Sequence, residues 1–201
     1  NLKNDKSIAN KSTMFAGGNV VINSSNGTIK NGGSIIAKNN VSLTANNHII
    51  NDNFSEINAK GNVSLISNEG SIINKSSLNA GGTMLLSAAN NVYNIATVAT
   101  NDAALLNQSF GEDGISPYIQ NSASARNSGN IGSRLIETAN ISAGNLIVEA
   151  GNDFNNYGSD IITTGDLAIT AGNDINISTV KLRNRSEFRS KKYTSITDTT
   201  K

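Results

Sequence analysis

Two aspartates, Asp153 and Asp174, hold the same place in two copies of the tetrapeptide AGND, at 150–153 and 171–174. A fold that brings residues 21 apart into register stacks their carboxylates. Such a pair has two chemical uses. With a basic partner it can share acid and base duty on a glycosidic bond, and with further oxygen donors it can hold a divalent cation. Both uses need more than the pair supplies. A hard cation takes roughly six or more oxygens, and the GGxGxD pattern of Ca²⁺-binding nonapeptides is absent. The lone His48 lies beside Asn47 in a corner-like stretch and reads as a surface or packing residue rather than a base. Without cysteine there is no thiol nucleophile and no thiolate for zinc. Five phenylalanines and four tyrosines furnish a sugar-stacking groove poorly. Aspartate is also an ordinary corner residue. The sequence therefore nominates no catalytic, cofactor-binding or metal-binding residues.

The spacing that stacks the aspartates runs through most of the chain. Alanines open AGGNVVI at Ala16, AKNNVSL at Ala37, AKGNVSL at Ala59 and AGGTMLL at Ala80, at intervals of 21, 22 and 21. AGNLIVEAGND begins at Ala143 and TGDLAITAGND at Thr164, again 21 apart. Four residues after the early alanines lie Val20, Val41, Val63 and Met84, and six after lie Ile22, Leu43, Leu65 and Leu86. Polar residues such as Ser42 and Ser64 separate them, so each stretch is a strand with one buried face. Two residues before the openings stand Met14, Ile35, Ile57, Leu78, Ile141 and Ile162. A middle segment carries Ile29, Ile49, Ile50, Ile72, Ile73, Val92, Phe154 and Ile175. Three short strands and three corners per 21 residues leave no room for a helix. They suit an all-β parallel β-helix whose coils stack at ~4.8 Å with aliphatic columns inside. A β-sandwich would also show closely spaced strands, but needs no side-chain register at 21. The register predicts eight or nine coils, roughly 40 Å of stack. The 34 asparagines and 18 glycines then read as corner residues suited to positive φ.

Composition bounds the function. The net charge of +1 gives no field for nucleic acid or an anionic membrane. No stretch approaches the ~20 apolar residues of a membrane helix. Absence of cysteine fits a chain exported unfolded that folds outside without disulfides.

Together, AGGNVVI, AKGNVSLISNEGSI, AGNLIVEAGNDFNNYGSDI and TGDLAITAGNDINIS resemble the hemagglutinin repeats of large bacterial filamentous hemagglutinins and of contact-dependent growth inhibition proteins. The resemblance covers about 14–100 and 141–200, and the tail TVKLRNRSEFRSKKYTSITDTT is similar to the basic stretch that often follows such repeats. It implies a right-handed β-helix, two-partner secretion through an outer-membrane pore, and a place on the bacterial surface. It also implies contact with a host or neighbouring cell, for adhesion or toxin delivery. The family's secretion domain and toxin domain are not visible, so the sequence reads as an internal stalk segment of a longer protein. No catalytic residue carries over. Because several parallel β-helices are polysaccharide lyases or hydrolases, a polysaccharide-active enzyme is the competing function.

The pattern divides the chain into regular coils over 1–100, irregular coils or a protruding loop over 101–142, regular coils over 143–182, and a basic Ser/Thr-rich extension over 183–201. Extending the period places Arg183 and Arg185 at interior positions that they cannot fill, so the core should end near Leu182. Residues 181–192 hold six Lys and Arg, a run suited either to polyanions or to discouraging edge-to-edge stacking. The coils present short Ser, Thr and Asn side chains, whereas binding anchors are usually aromatic or Arg. Candidate contact residues are therefore Phe110, Tyr118, Arg126 and Arg134 in the irregular segment, and Arg183, Arg185, Phe188 and Arg189 in the tail. Leu65→Asp, which places a carboxylate in an apolar column, is expected to cost several kcal/mol, against about 1 kcal/mol or less for Asn68→Ser at a corner; thermal unfolding of the two variants checks the assignment.

Overall fold

Parallel strands stacked in coils satisfy each backbone amide from the coils above and below, provided that equivalent residues recur at the coil length. The computed structural model describes residues 1–100, 119–121, 131–180, 182 and 184–185. The first coil supplies β1 (Leu2–Asn4) and β2 (Ile8–Asn10). Three coils of three strands follow: β3 (Thr13–Ala16), β4 (Val20–Ser24) and β5 (Ile29–Asn31); β6 (Ser34–Ala37), β7 (Val41–Ala45) and β8 (Ile49–Asn51); β9 (Glu56–Ala59), β10 (Val63–Ser67) and β11 (Ile72–Asn74). In the fifth coil one long strand, β12 (Ser77–Ala88), turns the corner and leads to β13 (Val92–Ile95). The chain then leaves through β14 (Thr97–Thr100), β15 (Ile119–Asn121) and β16 (Ile131–Glu137). It returns as β17 (Asn140–Ala150) and β18 (Phe154–Tyr157), and closes the stack with β19 (Asp160–Thr163), β20 (Leu167–Ala171) and β21 (Ile175–Ser178). A last short strand, β22 (Asn184–Arg185), lies apart.

The fold is an all-β parallel β-helix of seven coils, about 34 Å of stack. The columns are those that the period implies: Ile35, Ile57, Leu78 and Ile141 are successive partners, as are Leu43, Leu65, Leu86 and Val148. All eight are buried in one continuous apolar cluster.

The coil count is lower than eight or nine because 101–142 adds no coil. Ala80 pairs directly with Ala143, Leu86 with Val148 and Val92 with Phe154. The 63 residues from Ala80 to Ala143 therefore climb a single coil. What lies between is an excursion whose described strands pair among themselves in a separate sheet, β15-β14-β16-β22. Its limits also shift: Thr97–Thr100 belong to the excursion, while Asn140–Ser142 belong to the stack.

A second correction concerns Ile162. Its neighbour Ile161 pairs with Ile141, and Ile162 is 54% exposed. The strand opening is Thr163, paired with Ala143, and the corner from Thr163 to Leu167 is one residue longer than that from Ala143 to Leu146. In a strand a slip of one residue turns every side chain to the other face.

The asparagines show the largest departure. Asn10, Asn31, Asn51, Asn74, Asn94 and Asn156 are buried in a single column beside the aliphatic one. From Asn10 to Asn94, each Nδ2 donates to the Oδ1 of the asparagine one coil up, at 2.8, 2.9, 2.9, 2.8 and 2.7 Å. The remaining amide hydrogens reach backbone carbonyls at the adjoining corner, such as Ser76 O and Asn140 O from Asn74. The strand-end corner is thus pinned from inside.

Positive φ is rare at these corners. Among the described residues only Phe54 and Gly158 have it. The AGND glycines serve close approach instead: a Cβ on Gly151 would lie 1.9 Å from Ala89 O, and one on Gly172 would lie 2.1 Å from Gly151 O.

Asn74→Ala removes a donor to Asn94 and an acceptor of Asn51. It is expected to cost about 2–4 kcal/mol, because an unsatisfied buried amide on each side carries a desolvation penalty of about 1–3 kcal/mol. Exposed Asn68→Ala should stay within about 1 kcal/mol. Denaturant midpoints of the two variants provide the comparison.

Candidate functional site

The candidate carboxylates stack as the 21-residue spacing requires, but as links of a corner ladder. Ser7 Oγ accepts the backbone N–H of Thr28, Thr28 Oγ1 that of His48, and His48 Nδ1 that of Ser71. Ser71 Oγ accepts the N–H of Asn91, Asn91 Oδ1 that of Asp153, and Asp153 Oδ1 that of Asp174 at 3.1 Å. His48 and Asp153 thus hold positions that serine, threonine and asparagine fill elsewhere, one acceptor per coil. Asn19, Asn40, Asn62 and Asn145 do the same at another corner. Among the described residues no three His, Cys, Asp or Glu side chains converge in a way that could hold a metal ion.

The contact candidates fare differently. Phe110, Tyr118, Arg126, Arg183, Phe188 and Arg189 lie outside the described residues. Arg134 is exposed on β16, opposite Ala99 of β14. Arg185 leaves the stack, as its charge requires, and its backbone pairs antiparallel with Ile131 of the same β16. The excursion and the start of the basic tail, which read in the sequence as separate regions, therefore share one small sheet.

That sheet is tied to the stack at one corner. The corner between β8 and β9 holds Asp52, Asn53, Phe54 and Ser55, two residues more than those between β5 and β6 or between β11 and β12. Asn53 Oδ1 accepts a bond from Thr97 Oγ1 at 2.6 Å, where the chain departs. Glu137, where it returns, accepts from the Phe54 N–H at 2.6 Å and from Ser76 Oγ at 2.5 Å. Phe54 itself is 77% exposed with φ of 57°, a conformation that costs a non-glycine residue about 1–3 kcal/mol and that the surrounding bonds hold in place. Phe54 escapes sequence reasoning because it falls in a stretch that otherwise keeps the repeat. The two extra residues of its corner, offset by one fewer between Ala45 and Ile49, give the interval of 22 from Ala37 to Ala59, which is the only signal.

Asp52 steadies the same corner. Lys30 Nζ lies 2.7 Å from it and Lys75 Nζ 3.5 Å, so one carboxylate ties three successive coils. Burial alone would raise its pKa, but the Lys30 bond, the Lys75 charge and the Asn53 N–H outweigh burial and hold it below the ordinary value of 3.8.

No protein-family model matches the chain, and no curated protein or solved structure is significantly similar to it.

A depressed carboxylate pKa adds stability above the unfolded value, and that stability is lost as pH falls through the folded value. Asp52→Asn should therefore lower stability at pH 7 by up to about 1 kcal/mol, discounted because Lys30 is half exposed. The gap to the unsubstituted chain should close as pH drops below 3.8, which thermal melts across that range measure.

Proposed function

We propose that this chain is a segment of the rigid β-helical stalk of an exported bacterial surface protein of the filamentous hemagglutinin type. Its coils act as a scaffold and its excursion as the surface offered to another cell. The observation that carries this reading is the direct pairing of Ala80 with Ala143. An unbroken stack holds a separate sheet at one fixed height, the arrangement expected where a rigid frame positions a recognition segment. The residue types support it too. The coil faces are mostly short and polar, though Phe15 is exposed among them, and Arg134 and the aromatic Phe54 stand exposed at the excursion and its anchoring corner. On this reading the partner is a receptor or glycan of a host or neighbouring bacterial cell, the full-length protein leaves through an outer-membrane pore, and the chain catalyses nothing.

The test is binding of the chain to cells and to arrayed glycans. A Phe110→Ala, Tyr118→Ala variant should lose binding to a protein receptor with little salt dependence. Replacing Arg183, Arg185 and Arg189 by Ser should lose polyanion binding that is itself weakened by salt. Full binding by a protein carrying all five changes would put the contact on the coils and overturn the reading. Release of reducing ends or unsaturated sugars from acidic polysaccharides, abolished by Asp153→Ala, would replace it with an enzyme.

A further inference from the structure

An asparagine that precedes glycine is open to spontaneous loss of its side-chain amide, because glycine has no Cβ to keep its backbone nitrogen away from the asparagine Cγ. Two such dipeptides occur in the chain, Asn26–Gly27 and Asn31–Gly32. Their covalent chemistry is the same, and their settings in the fold are opposite.

Asn31 belongs to the buried amide column and is 1% exposed. Its Oδ1 accepts from Asn10 Nδ2 at 2.8 Å. Its Nδ2 donates to Asn51 Oδ1 at 2.9 Å and lies 3.0 Å from both Gly33 O and Glu56 O. The nitrogen that would attack it is held as well, since the Gly32 N–H donates to Asn10 O at 2.8 Å. Ring closure at Asn31 has to break the column and a bond between coils together.

Asn26 stands at the outer corner between β4 and β5, exposed. Its neighbours fix the corner on either side: the Ser25 N–H donates to Asn4 O at 3.0 Å, the Thr28 N–H to Ser7 Oγ at 3.1 Å, and Gly27 O accepts from the Asn47 N–H at 3.0 Å. Between those points the chain is loose. Among the described residues the Asn26 side chain, the Asn26 N–H and the Gly27 N–H have no hydrogen-bond partner. The attacking nitrogen and the amide it attacks can therefore approach without breaking a bond of the stack.

We propose that Asn26 is a site of spontaneous covalent modification, and that the fold confines this ageing to the corner while shielding the amide column. The Gly27 nitrogen loses its proton to solvent base and bonds to Asn26 Cγ. The bond from Cγ to the amide nitrogen breaks, and ammonia leaves with a proton from water. Water then opens the cyclic imide at one of its two carbonyls, giving aspartate or isoaspartate at position 26. Either product adds one negative charge, and isoaspartate adds one carbon to the main chain. The corner has room for that carbon, because this turn already varies between four residues, from Ser24 to Ile29, and three, from Ala45 to Ile49.

The test is incubation of the full chain in heavy-oxygen water at mildly alkaline pH, folded and in guanidinium chloride, followed by peptide mapping. In the unfolded chain both sites should take up label. In the folded chain Asn26 should convert within roughly tenfold of its unfolded rate, and Asn31 at least about a hundredfold more slowly than its own, since it reacts only when the coil opens. Asn26→Gln should remove the folded-state signal and melt like the parent. The converted protein, separated by its extra charge, should also melt like the parent. Asn26 slowed by folding as much as Asn31, or Asn31 converting in the folded chain as fast as Asn26, would overturn the proposal. A converted fraction that has lost the stack would overturn the confinement of the change to the corner.

Discussion

Every coil must repeat the hydrogen-bonding groups of the coil below it, because a stack has no other way to satisfy its interior. The asparagine column imposes this most strictly. An aliphatic position accepts any side chain of similar volume at modest cost. An amide buried at 2.7–2.9 Å from its neighbours does not, since its loss orphans groups both above and below. The column also reaches the corner carbonyls from within, so the place where each coil turns is set by a side chain rather than by a flexible backbone. The aliphatic columns supply the bulk of the burial, and the amide column fixes where that burial is located.

The outer corners obey the same rule with a looser vocabulary. Ser7, Thr28, His48, Ser71, Asn91 and Asp153 share only the ability to accept one N–H. Hydroxyl, imidazole, amide and carboxylate take that place in turn, exposed at Ser7 and buried at Ser71 and Asn91. This explains how a chain can carry stacked aspartates, and a histidine in the same corner, as parts of its frame.

The sequence discloses what repeats along the chain and hides what pairs across it. Ile35, Ile57 and Leu78 were legible as one column because their spacing is the coil length. The buried asparagines follow the same period, two residues after Ile29, Ile49, Ile72, Val92 and Phe154. Composition disguised them, since abundant asparagine also suits turns. The excursion was masked by arithmetic: a gap of 63 residues equals three coil lengths, yet spans one coil. Ile162 was misplaced because the corner between Ala143 and Leu146 lacks one residue that the other coils have. The bonds from Glu137 to Phe54 and Ser76 cross 83 and 61 residues, and no local pattern announces them.

The excursion leaves after β13 and returns before β17, and the strands on either side are direct neighbours in the stack. Height and ornament are thereby uncoupled. Residues can be gained, lost or exchanged between Thr97 and Glu137 without lengthening the column or rotating anything above it, because loop closure costs grow only slowly with length. What the segment carries can therefore change while the register of the coils on either side of it stays as it is.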